Sequence, residues 1–266
     1  MILALLLAVP ALAGPPDHTV NQAFREYNAA AVFELPLLDQ DQIEDLEAGE
    51  VVRIVERDGD RSKPARALAF KLSSHPMQSL WVASLDPHLT VDPDLTERRL
   101  SRTGERELWY GYYELPYPFS DRHWLVESWN NRALAEATSG RAWEHAWVLA
   151  NGRMDEARTF VASGAIPGVD TEAMDKAILT PHNHGAWLVI RLPDGRSVLG
   201  YHATSTVGGS VPDWVVLQLL HGRLQALLER VDARCPTTVI EHYTRAHPDL
   251  ESGDGTPLRW RPAQDQ

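Results

Sequence analysis

Cysteine is nearly missing from this chain. One residue, Cys235, occurs in 266. No internal disulfide can form and no thiolate zinc site can be built. Beside Pro236 the lone thiol reads as a small packing residue at a helix end. Positive charge is scarce too: 25 Lys and Arg against 37 Asp and Glu leave a formal net charge of -12. Such a chain does not suit nucleic acid, whose phosphates call for clustered cations. It is equally unsuited to broad attraction by anionic membranes. No apolar run is long enough to span a bilayer. There is no phosphate-cradling loop: Gly208-Gly209 lacks the spacing and the following Lys, and reads as a tight strand-to-helix turn.

Catalytic and metal signatures are also missing. No Ser sits in G-x-S-x-G, and no H-E-x-x-H occurs. His182 and His184 would share one face of a strand. Their conceivable co-ligands His145, His202 and Glu127 have no supporting spacing, so the pair reads as polar residues at a strand entrance and no metal is expected. Ser120-Asp121 reads as turn chemistry, and Glu114 and Glu127 as a strand-end acid and a solvent-facing one. No cofactor is implied.

The chain does hold a patterned series of elements. Residues 1–13, "MILALLLAVPALA", form a short apolar run ending in Ala11-Leu12-Ala13, like a secretory signal peptide, although no Lys or Arg precedes it. A mature protein beginning near Gly14 would then be soluble and periplasmic or extracellular. Residues 14–38 read as an N-terminal arm with a short helix over Val20–Val32. Residues 39–245 read as the main domain, and 246–266, rich in Pro, Gly and Asp, as a loose tail. Asp39 or Asp41 can cap a helix that Gly49 ends. Strands are expected in "EVVRIVERD", "ARALAFKLS", "TERRLSRTG", "RELWYGYYEL", "RHWLVESWNN" and "RAWEHAWVLA". A helix starting at Pro76 and stopping at Asp86-Pro87 lies between the second and third of these. Residues 152–180 suggest one or two short helices. Pro193-Asp194-Gly195 turns a hairpin. The clearest helix is the last, with Ser210 as N-cap and an apolar stripe of Val216, Leu220, Leu224, Leu227 and Val231. Pro236 should end it, giving a rod about 30 Å long. Hairpin-linked strands with one long terminal helix make an antiparallel α+β plan.

The stretch "WYGYYELPYPFSDRHWLVESW" crowds rings onto two neighbouring strands. Taken alone, such rings either fill a core or line a hollow. Here a resemblance adds to the residues. "YYELPYPFSDRHWLVESW" resembles the strand–turn–strand signature of START domains, the steroidogenic-acute-regulatory-related lipid-transfer family. "GAWLVIRLPDGRSVLGYHATSTVGGSVPDWVVLQLL" is similar to that family's closing hairpin, turn and C-terminal helix. The resemblance implies a helix-grip fold: a curved antiparallel sheet gripping the terminal helix around a hydrophobic tunnel. It implies one hydrophobic ligand, such as a sterol, a phospholipid or another lipid, and allows transient membrane contact. Sterol-binding members carry an acid–arginine pair; counted from the matched turn, the arginine's place falls at Ser128 and the acid's near Tyr110, where neither charge is present. Hydroxyls are left as polar anchors. The ligand-binding set so implied is Tyr110, Tyr112, Trp124, Val126, Ser128, Trp147, His184, Trp187, Tyr201, Leu220 and Leu224. Residues 152–180 are a lid in this reading. The alternative is a cyclase or aromatase of the same superfamily, with His145, His184 or Tyr201 as acid or base.

Overall fold

The computed structural model describes residues 18–57, 64–86, 94–206, 213–242 and 251–258, with side chains throughout except at 213–222 and 238–242. The expected residues 1–13 leader, the Asp58-Gly59 turn and the Ser210 cap lie outside the described residues. Among the described residues nine strands form one sheet: β1 (Val52–Glu56), β2 (Arg66–Ser73), β3 (Leu95–Thr103), β4 (Arg106–Tyr113), β5 (Arg122–Asn130), β6 (Ala142–Leu149), β7 (Ile178–Leu179), β8 (His182–Arg191) and β9 (Ser197–Thr206). Their order is β1-β2-β9-β8-β6-β5-β4-β3, every pair antiparallel, with the two-residue β7 added parallel to β5. The helices are α1 (Thr19–Asn28), α2 (Gln40–Glu47), α3 (Met77–Ser84), α4 (Arg132–Ala137), α5 (Met154–Ala162), α6 (Thr171–Lys176) and α7 (Asp213–His242).

Both faces of the sheet are covered. On the inner face, α7 lays Leu224, Leu227, Leu228 and Val231 beside Leu80 and Trp81 of α3, over Ala67, Ala69, Val189 and Leu199. Alanines at 67 and 69 give the helix a close seat, because a small side chain lets the backbones approach. On the outer face α1, α2 and the segment between them bury Phe24, Tyr27, Leu38 and Leu46 against Leu68, Phe70, Leu188, Ile190 and Val198. Further along that face α5 and α6 set Ala157, Val161 and Met174 on Leu108, Tyr110, Tyr112 and Leu125.

Local chemistry explains the elements. Asp39 caps α2 in a full capping box: its carboxylate accepts from the Gln42 backbone (2.9 Å), while the Asp39 backbone donates to the Gln42 amide oxygen (3.0 Å). The arm is integral to the fold, with Val20, Phe24, Tyr27 and Leu38 fully buried. Its extended return strand is pinned to α1 by two asparagines, Asn21 pairing both ways with the Leu38 backbone and Asn28 with that of Leu35. Glu144, 0 % exposed, ties the same arm to the sheet by accepting from the Tyr27 hydroxyl (2.7 Å), the Val32 backbone (2.9 Å) and the Asn131 amide (2.6 Å).

Three expectations change. Pro236 lies inside α7 and does not end it. A proline there removes one backbone hydrogen bond and costs about 3 kcal/mol, yet helical backbone continues to His242. The last turn before it is held by the buried Val231 and Cys235 and by Asp232, which accepts from the Ser73 hydroxyl (2.5 Å). The tail is not loose at 251–258: the Trp81 indole donates to the Glu251 carbonyl (2.9 Å), Gly253 lies against Trp143, and Leu258 joins the inner core. Finally, residues 152–180 pack on the outer face, so they do not cover the space beneath α7.

Candidate functional site

Strand pairing fixes what faces the space under α7. Cross-strand partners share a face, so the inner face carries Glu97 opposite Gly111, Arg99 opposite Trp109, Trp109 opposite Val126, and Gly111 opposite Trp124. It continues with Ser128 opposite Trp147, His145 opposite Trp187, and Trp187 opposite Tyr201. These rings form one cluster, Trp109, Trp124, Trp147, Trp187 and Tyr201 around Val126 and Ala203. Tyr201 sits at its centre, 4.7 Å from the Trp187 ring and 5.5 Å from the Trp147 ring. The Trp124 indole lies flat across Gly111, where any Cβ would fall 2.3 Å from its Cε2. That glycine is what lets the ring turn toward β3.

Side-chain exposure argues for unfilled space, a hollow, on this face. α7 covers β1, β2 and β9, and its Arg223 reaches the far side, where the guanidinium sits on the Tyr113 ring and donates to its hydroxyl. On this face His145 and Tyr201 are half-buried and Glu97 is exposed. The rings of Trp109, Trp124 and Trp187 are half-buried as well. Large rings that keep accessible surface on a face covered by helices border unfilled space.

Polar groups are few and specific. The Ser128 hydroxyl is buried and finds no hydrogen-bond partner among the described residues. His145 pairs through Nδ1 with the Asn130 side-chain oxygen (2.7 Å). Burial pushes its pKa down to about 4, outweighing the opposite pull of Glu107, so the ring is neutral at pH 7. Burial raises the Tyr201 phenol, with the Glu97 charge adding to it. The Trp147 indole donates to Asn183 (3.0 Å) and the Trp109 indole to Glu107 (3.0 Å). Among the described residues no group of three metal-ligating side chains occurs.

No protein-family model and no curated protein matches the sequence. Solved structures do. Human STARD10 aligns at TM-score 0.52 and 13% identity, covering 86% of this chain and 84% of that one. A STAR-related lipid transfer protein fragment from Xanthomonas axonopodis aligns at TM-score 0.50 and 14% identity, covering 70% and 93%. The human StarD13 lipid transfer and protein localization domain aligns at TM-score 0.50 and 11% identity, covering 83% and 98%. The chain has the START fold.

Within this START fold the sequence-derived residues divide between two faces. Trp124, Val126, Ser128, Trp147, Trp187 and Tyr201 come together on the inner face, and Leu224 of α7 packs toward it. Leu220 lies outside the described side chains. Tyr110, Tyr112 and His184 point the other way. Tyr110 pairs with Leu125 and Tyr112 with His123, and both are buried under α5 and α6. The Tyr110 hydroxyl meets His123 Nδ1 (3.2 Å), and the Tyr112 hydroxyl donates to Asp121 (2.6 Å). His184 stacks on Phe33 of the arm, 5.3 Å between rings. The resemblance implies Tyr110 and Tyr112 as ligand-lining, but the hairpin register puts Gly111 and Trp109 on the face of Trp124 and Val126, one residue out of phase. Of the acid–base candidates of the cyclase alternative, His145 and Tyr201 face the hollow and His184 does not. Of the two places implied for an acid–arginine pair, Ser128 faces inward and Tyr110 outward. Sequence reasoning left Glu97 and Trp109 out of the site. The signal that finds them is strand pairing, Trp109 with Val126 and Glu97 with the Gly111 that lies opposite Trp124, which becomes visible once the β4–β5 register is known.

Proposed function

We propose that this protein is an exported carrier or sensor that holds one hydrophobic molecule between its sheet and α7, for transfer or sensing. The observation that carries this reading is the inner face itself: five large rings around an accessible hollow, with the Ser128 hydroxyl left without a protein partner. A ring-lined cavity with few polar groups suits a mostly apolar ligand with one polar end. Burial contributes about 25 cal/mol per Å² of apolar area, so a few hundred Å² yields several kcal/mol before ordering costs.

Two features support the setting. The apolar start with its Ala-Leu-Ala site supports export to a periplasmic or extracellular space. Among the described residues no helix is long and apolar enough to cross a membrane. Tyr117 and Phe119, 96% and 42% exposed in the β4–β5 connection, support brief contact with a lipid surface. Extraction and mass spectrometry of protein purified from its native compartment tests the reading. A stoichiometric hydrophobic molecule supports it, and repeated failure to find or load any such molecule ends it.

A further inference from the structure

The turn at 251–258 packs on the same face of the sheet as the hollow. It is a self-contained knob. The Ser252 backbone donates to the Thr256 carbonyl (2.9 Å), and the Gly255 backbone donates to the Ser252 carbonyl (2.9 Å). The Asp254 carboxylate accepts from the Ser252 hydroxyl and from the Thr256 backbone (2.8 Å), while Glu251 bridges to Pro257. Polar groups paired inside one segment stay paired when that segment moves as a unit, so lifting the knob leaves few backbone groups orphaned.

The seat of the knob adjoins the hollow. Gly253 lies on Trp143, and the Trp81 indole donates to the Glu251 carbonyl (2.9 Å). Trp81 also meets the His145 ring edge-on, 6.5 Å between centroids. Asn130 stands opposite His145 on the inner face. Its side-chain oxygen pairs with His145 Nδ1 (2.7 Å), and its amide donates to the Ser252 carbonyl (3.3 Å). A single side chain therefore separates the knob from a histidine that faces the hollow. The outer fastening is ionic: Glu251 reaches Arg102 of β3 (2.5 Å) and Arg132 of α4 (3.8 Å), all three partly exposed. Exposed pairs contribute little, and segments held this way open at far lower cost than the whole fold. We propose that the 251–258 turn is a gate. It closes the end of the hollow beside His145 and lifts as a unit to pass a hydrophobic molecule, with the Glu251–Arg102 pair as its bolt. This rests on the reading of the hollow as a ligand site, and it adds the route and its control.

Exchange rates in the full chain test this. Protein loaded with dansylaminoundecanoic acid is mixed with excess oleate, and the loss of tryptophan-to-dansyl energy transfer gives the exit rate. A gate that does not touch the probe speeds entry and exit together when weakened, so affinity should stay within about twofold of the wild type. E251Q should speed exit about two- to fivefold, the scale of one exposed pair. G253A, whose methyl meets the fixed base of the Trp143 side chain, should speed it further. Wild-type exit should quicken between about 0.05 M and about 1 M salt as the pair is screened, and E251Q should lose most of that response. R223Q removes the guanidinium from Tyr113 at the far support and should leave the rate near that of the wild type. Unchanged exit in E251Q and G253A, or faster exit in R223Q alone, overturns the gate while leaving the hollow a ligand site. So does an E251Q whose affinity falls with its entry rate unchanged, which makes the turn a wall. Failure of the wild type to bind the probe at all counts against both readings.

Discussion

Replacing Gly111 by Ala separates two kinds of tight contact in this sheet. A methyl group at 111 would stand 2.3 Å from Trp124 Cε2 and 2.4 Å from its Nε1. Carbon atoms do not approach below about 3.5 Å without loss of attraction, so the indole must leave its seat. The obstacle is the far end of a side chain, and the space it can turn into is the hollow. Overpacking of this kind costs about 1–3 kcal/mol, a fall of about 2–12 °C in Tm for a domain of this size. The displaced ring then takes volume from the ligand, so loading of any hydrophobic probe should drop along with stability. G111A/W124L removes the ring and should recover much of both losses; thermal denaturation and a fluorescent fatty probe report them. G185A is the contrast, because its methyl would meet the His202 backbone oxygen at 2.1 Å and the Trp147 ring at 2.6 Å. Backbone cannot swing aside, so G185A should fold poorly and W147L should not rescue it. If G111A is as stable as the wild type and loads normally, the ring does not rest on that glycine and the hollow is not bounded as described.

Other perturbations reach other parts of the structure. E144Q should cost about 2–4 kcal/mol in urea unfolding, because it disturbs three hydrogen bonds, two of them fully buried, that join the arm to β6 and α4; an unchanged midpoint would show that the arm is held by apolar contact alone. G253A puts a methyl 2.3 Å from Trp143 Cγ, at the fixed base of that side chain. It should detach the 251–258 turn, raise proteolysis there and redden tryptophan emission. Stability should fall as pH drops. Burial holds the pKa values of both His145 and His202 down, to about 4 for the first. Below about pH 6.5 the unfolded chain therefore binds protons that the folded chain refuses, with a slope of about 1.4 kcal/mol per pH unit for each histidine. Urea midpoints across pH 7 to 4 should show this decline, and H145Q should flatten it. An equally steep decline in H145Q would place the protonation elsewhere.

Much of the architecture is written in local residue patterns. The capping box at Asp39 and Gln42, the Pro193-Asp194-Gly195 hairpin and the stripe Leu224, Leu227 and Val231 act over a turn or two, so the sequence alone determines the elements they start, join and bury. Pro236 and the 251–258 turn were not legible, because packing on the core overrides a local helix breaker and a tail of polar composition. The site was only half legible for a sharper reason. Alternation along a strand says which residues share a face, but it gives no sign to the faces when both are buried. Here α1, α2, α5 and α6 cover one side and α3 and α7 the other, so Tyr110 and Trp109 are equally apolar choices for the interior. Only the tertiary structure, through the β4–β5 register and the side on which α7 lies, sends Trp109 and Glu97 inward and Tyr110, Tyr112 and His184 outward.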